Sequence, residues 1–173
     1  APVSHPPWQA ATSPCAAQPA AALAACEASS YPFGGNASED SSGVLRYVRV
    51  WHSQRGISLQ GVGSGTVVER CESVGSATDG FVLHGGTVSL RQLSSIDAAH
   101  AGFRVRAGYS GDGQFLFAML GTAGRYGVLS GAANGEEADD TYAASPALRP
   151  RFFSLTIIGG GAGGLTNSSL MRL

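Results

Sequence analysis

TVVERCESVGSATDGFVLHGG (66–86), followed by TVSLRQLSSIDAAHAGFRVRAGYSG (87–111), is the stretch whose reading decides the fold. Each segment starts on Thr-Val, runs through one strand, turns, and opens a second strand on a glycine. The same unit extends outward in both directions. Before it stands LRYVRVWHSQRGISLQGVGSG (45–65); after it come DGQFLFAMLGTAGRYGVLSGA (112–132) and a degenerate copy, RFFSLTIIGGGAGGLTNSSLMRL (151–173). The opening glycines are Gly56, Gly80, Gly102 and Gly127, at steps of 24, 22 and 25 residues. A period in the low twenties, built of strands and turns without helical periodicity, predicts a parallel β-solenoid.

Within the units, alternation assigns the faces. The second strands place Ile57 and Leu59, Phe81 and Leu83, and Phe103 and Val105 at equivalent inward positions, with Phe81 stacked on Phe103. Ser58/Gln60, Val82/His84 and Arg104/Arg106 then point outward. In the first strands, strict alternation puts Leu45, Tyr47 and Arg49 on one face, and sets Val68 and Arg70 against Val67, Glu69 and Cys71. The expected architecture is all-β: a right-handed parallel β-helix of about five rungs over 43–173. An extended Pro/Ala-rich arm or cap precedes it over 1–42, and a polar loop is inserted at 131–150.

Composition agrees. Of 173 residues, 25 are Gly and only 13% are charged, which suits stacked strands joined by tight turns. The net charge of −1 leaves no electrostatic footprint for nucleic acid or an anionic membrane. All eleven basic residues are Arg, a bias that GC-rich coding explains. No apolar run reaches the roughly 18 residues of a membrane-spanning helix. The Ala-Pro start fits a mature N-terminus, and SLMRL (169–173) reads as a strand without a cap. Of the three cysteines, Cys71 reads as a buried small hydrophobe. Cys15 and Cys26 bracket a Pro/Ala-rich segment and are candidates for a disulfide that would imply an oxidising compartment.

Candidate chemistry is sparse. A groove enzyme of this architecture needs converging carboxylates, either for acid/base work or to hold Ca²⁺. Asp79, Asp97 and Asp112 are singles at non-equivalent rung positions, with no base stationed beside them, and read as turn caps. His84 and His100 stand about one rung apart without a third metal ligand and read as turn histidines. No catalytic residue, metal or other cofactor is expected. Glu136, Glu137, Asp139 and Asp140 on the inserted loop, with Arg104 and Arg106 on the sheet, are the candidate partner contacts.

The run DSSGVLRYVRV, then GISLQGVGSGTVVE, DGFVLHGGTV and GYSGDGQFLFAML, resembles a family of bacterial surface and secreted proteins, hypothetical lipoproteins among them. The resemblance covers roughly 26–173 and implies the pectate-lyase-like right-handed parallel β-helix and an extracytoplasmic setting. Departures occur before the second strands, where relatives carry paired acids and this chain reads Ser76-Ala77-Thr78-Asp79 and Asp97-Ala98-Ala99-His100. The functional expectation is a non-catalytic structural or interaction module. It would be an accessory subunit binding a protein partner in a bacterial envelope, at a cell surface or in a plastid lumen. The alternative is a carbohydrate-binding or polysaccharide-degrading β-helix.

Overall fold

A computed structural model describes residues 37–106, 108–130, 150–160 and 169–172. Among them every regular element is a strand, and every strand pairing is parallel. The order is β1 (Val44–Arg46), β2 (Arg49–Trp51), β3 (Ile57–Gln60), β4 (Val67–Glu69), β5 (Glu72–Val74) and β6 (Phe81–His84), then β7 (Ser89–Ile96), β8 (Ala101–Arg106), β9 (Asp112–Met119), β10 (Tyr126–Ser130), β11 (Arg151–Ile158) and β12 (Ser169–Arg172). The second sheet stacks β3, β6, β8, β10 and β12 as five levels. The first sheet has the same levels, with β1/β2 and β4/β5 as the two halves of levels that β7, β9 and β11 cross unbroken. The product is a parallel β-solenoid of about four turns.

Ladders of like residues fill the interior. Ile57 pairs with Phe81, Phe81 with Phe103, and Phe103 with Val128, while Leu59, Leu83 and Val105 form the next column. The Phe81 and Phe103 rings stack 5.2 Å apart at 12°, as the sequence predicts. Across the core, the first sheet contributes Val68 and Leu90, then Leu93 and Leu116. Fully burying each such side chain contributes roughly 1.5–3 kcal/mol. In the column Leu45–Val68–Leu90–Gly113–Phe152, the glycine leaves the gap that the Phe152 ring occupies.

The period-marking glycines have a packing cause. Where the first sheet turns into the second, they face an inward column of small residues: Ser73, Ser95 and Ala118. A Cβ on Gly56 would collide with the Gly80 carbonyl oxygen and Ser73 Oγ, and one on Gly80 with Ser95 Oγ. On Gly102 it would lie 2.8 Å from the Gly127 carbonyl oxygen and 3.0 Å from Ala118 Cβ. Two sheets meet here too closely for side chains on both.

One expectation fails at the middle of the first sheet. Tyr47, Arg70, Gln92, Phe115 and Ser154 all have positive φ, between 52° and 57°. This left-handed residue bends every level and shifts the alternation by one. Tyr47 and Arg70 therefore point to solvent, where Arg70 donates to the Tyr47 hydroxyl at 2.8 Å, and Val48 and Cys71 turn inward. Continuous alternation through RYVRV and VVERC misplaces them because none of these five side chains is the glycine or asparagine that usually announces such a bend.

Candidate functional site

The structure brings together three residues that the sequence leaves apart. Asp79 stands immediately before Gly80 on the second level, and His100 stands two residues before Gly102 on the third. Backbone bonds from His100 N to the Thr78 carbonyl and from Gly80 N to the Ala101 carbonyl, both 2.9 Å, lock these turns together. His100 Nδ1 consequently lies 2.8 Å from Asp79 Oδ1, and Arg104 Nη1, from β8, lies 3.6 Å from Oδ2. Asp79 is 3% exposed and Arg104 9%. Burial by itself pushes the Asp79 carboxyl up. The His100 hydrogen bond and the Arg104, His100 and Arg106 charges outweigh it, and the group is held below the usual carboxylate range.

An ionised Asp79 accepts only, so His100 Nδ1 carries the proton that it donates to the carboxylate. The Tyr126 ring packs against the imidazole from the next level in a T-shaped contact, with centroids 5.4 Å apart. The arrangement orients an imidazole, and its buried charge pairing ties the second level to the third. Asp79 is thus a tie between levels, with a basic partner on either side, and not the solitary turn cap that its isolation in sequence implies.

Each other sequence candidate has its own place. Asp97 is exposed at the end of β7, in the left-handed region at φ 54°, with its carboxylate against Gly121. Asp112, at the opposite end of the first sheet's strands, is gripped by Arg151 at 2.7 and 2.8 Å. These carboxylates do not converge. His84 pairs in register with Arg106 at the far end of its strand from the His100 turn, so the two histidines are not neighbours. Arg104 is buried against Asp79 and does not project into solvent, and Arg106 adds to the field on that carboxylate. Val82, expected outside, is 4% exposed. Among the described residues, no three His, Cys, Asp or Glu side chains group as a metal site requires. Glu136, Glu137, Asp139, Asp140, Cys15 and Cys26 lie outside the described residues, as does the arm up to residue 36.

The outer face of the first sheet carries the feature that strand-by-strand reading missed. Register places Trp51, Val74, Ile96, Met119 and Ile158 in one outward column through all five levels. No charged residue interrupts it, and Trp51, Met119 and Ile158 are 60%, 38% and 47% exposed. The neighbouring column is Arg49, Glu72, Ser94, Phe117 and Thr156, with Arg49 and Glu72 paired at 3.4 Å. Beyond the bend, Glu69 is paired with Arg46 at 2.8 Å and with Arg70 at 3.2 Å.

A family model described as a pectate-lyase like beta helix domain matches residues 13–173. The chain belongs to that family. The match spans the described solenoid and most of the sequence before it. No curated protein and no solved structure gives a significant match. The pectate-lyase-like β-helix family holds both carbohydrate-active and structural proteins, so membership establishes the architecture and leaves the activity to the surface of this chain.

Proposed function

We propose that this pectate-lyase-like solenoid is a non-catalytic interaction module, an accessory subunit that holds a protein partner in an extracytoplasmic setting such as an envelope or a plastid lumen. The observation that carries the proposal is the uncharged column Trp51–Val74–Ile96–Met119–Ile158 on an exposed sheet face. Contiguous exposed apolar surface marks docking sites in soluble domains. The carboxylates support the same reading: Asp79, Asp112, Glu69 and Glu72 each meet an arginine at separate points of the solenoid.

The test is cross-linking of the full tagged chain in its native host, followed by mass spectrometry. A protein should be recovered with the wild type and lost with Met119→Glu. Release of unsaturated or reducing sugar from acidic polysaccharides, with or without Ca²⁺, would overturn the non-catalytic assignment. Glycan binding is the second reading, favoured by the indole of Trp51 and the phenol of Tyr47, both largely exposed on the first level.

A further inference from the structure

We infer that residues 31–33 of this chain dock as an added strand on the open edge of β3 and close that end of the solenoid. They precede the described residues, and the edge that receives them is described. Among the described residues β3 is the last strand of its sheet and pairs only with β6. Ile57 and Gly61 donate to the Gly80 and His84 carbonyls of the second level at 2.9 and 2.8 Å. By alternation, Ser58 and Gln60 direct their N–H and C=O groups the other way, to the open edge. The inward residues Leu45, Val48, Val50 and Leu59 of this level are only partly buried against the core. An apolar interior behind an open backbone edge needs a cover.

The path of the chain supplies one. Turns from the second sheet to the first stack on one another: Thr87 N donates to the Val62 carbonyl at 2.9 Å, and Ser110 N to that of Gly86 at 3.0 Å. Residues 38–42 take the same place one level earlier. Ser64 N donates to the Ser38 carbonyl at 2.9 Å, and Gly65 N to that of Asp40 at 3.1 Å. The other turns of this stack follow β3, β6 and β8, so the chain that enters 38–42 comes from beside β3.

Glycine and proline set the register within Tyr31-Pro32-Phe33-Gly34-Gly35. Gly61 and Gly85 end β3 and β6 at matching positions, with φ of 62° and 64°. Gly35 opposite Gly61 continues that column and sets Phe33 against Leu59, Pro32 against Ser58 and Tyr31 against Ile57. Both rings then extend the inward columns that begin with Ile57 and Leu59. Tyr31 and Phe33 turn their backbone groups to those of Ser58 and Gln60. Pro32 turns its hydrogen-free nitrogen away from β3, where an edge strand tolerates it and a further chain finds no donor.

The experiment is residue-resolved hydrogen exchange by NMR on the full chain. The Ser58 and Gln60 amides should be protected in the wild type. The double variant Tyr31→Asp/Phe33→Asp should speed their exchange at least about tenfold and leave the amides of β8 unchanged. Free exchange in the wild type overturns the cap. So does protection that survives the double variant, or that rises with protein concentration as pairing with a second copy would require. A cysteine pair tests the register apart from the aromatic anchors. Pro32→Cys with Ser58→Cys, about 4.8 Å apart across the strands, should form an intramolecular disulfide under mild oxidation, mapped by peptide mass spectrometry. Phe33→Cys with Ser58→Cys, on opposite faces, should not, and equal coupling of the two pairs overturns the register.

Discussion

Replacing the period-marking glycines by alanine, one at a time, should produce a graded series whose order follows the space at each. The gain common to all is entropic: an alanine loses less backbone freedom on folding and stabilises by about 0.4–1 kcal/mol where the conformation suits it. None of these glycines has positive φ, so that gain applies to each. The opposing cost is steric. At Gly56 the new methyl would meet a backbone carbonyl, that of Gly80, which moves only with its whole level. At Gly80 the first obstacle is Ser95 Oγ, a hydroxyl that can rotate, with the Gly102 carbonyl at 2.8 Å and Ser95 Cβ at 2.9 Å behind it. At Gly102 the nearest atoms are at 2.8 and 3.0 Å. Overpacking costs roughly 1–3 kcal/mol. Net losses of about 2.5 kcal/mol for Gly56→Ala, about 1.5 for Gly80→Ala and under about 1 for Gly102→Ala follow. Urea unfolding monitored by circular dichroism reads these values, and the largest corresponds to a Tm drop of about 5–10 °C in a chain of this size. Ser95→Gly should recover about 1 kcal/mol in the Gly80→Ala background, as contacting residues couple. Gly56→Ala as stable as wild type, or a reversed order, would refute the argument that the corner lacks room for side chains.

Three further outcomes rest on buried groups. Asp79→Asn removes the carboxylate between His100 and Arg104 and should cost about 3 kcal/mol at neutral pH. Because the folded-state value of Asp79 is depressed, its contribution is present above the unfolded value of about 3.9 and is lost as pH falls through the folded value. Acid titration of stability should therefore be flatter in Asp79→Asn than in wild type, and identical slopes would sink the assignment. Tyr109→Phe strands the Val88 carbonyl, which now accepts from the buried hydroxyl at 2.8 Å, and should cost about 1–2 kcal/mol in thermal unfolding. Burial and the Asp112 charge push the Tyr109 phenol up, so in a spectrophotometric alkaline titration this phenol should ionise only as the chain unfolds, a signal that Tyr109→Phe lacks. Phe81→Leu breaks the ring stack with Phe103 and should cost about 1–2 kcal/mol, measured by the same urea unfolding.

The second sheet was legible from sequence because its determinants are local. Glycine opens four of its five strands, and Ile57, Phe81, Phe103 and Val128 follow at one fixed offset. The first sheet was half legible. Its inward residues are apolar on both sides of the bend, but the bend rests on Tyr47, Arg70, Gln92, Phe115 and Ser154, whose own preferences argue against it. Stacking between levels imposes it, and a single rung carries no trace of stacking. The Asp79–His100 contact was hidden by 21 residues of separation. Aligning the rungs on Gly80 and Gly102 would have exposed it, since the two residues precede those glycines by one and two positions. The apolar outer column required register, which no single strand supplies.

The bend also has an engineering consequence. Each of its five residues is held in a conformation that costs an ordinary L-residue about 1–2 kcal/mol. Glycine, and to a lesser extent asparagine, would bear that conformation at smaller cost. Gln92 and Ser154 are exposed polar residues at which such an exchange disturbs no apolar core. The column is thus an untapped reserve of thermostability, open to stepwise consensus-style substitution because its geometry repeats unchanged from level to level.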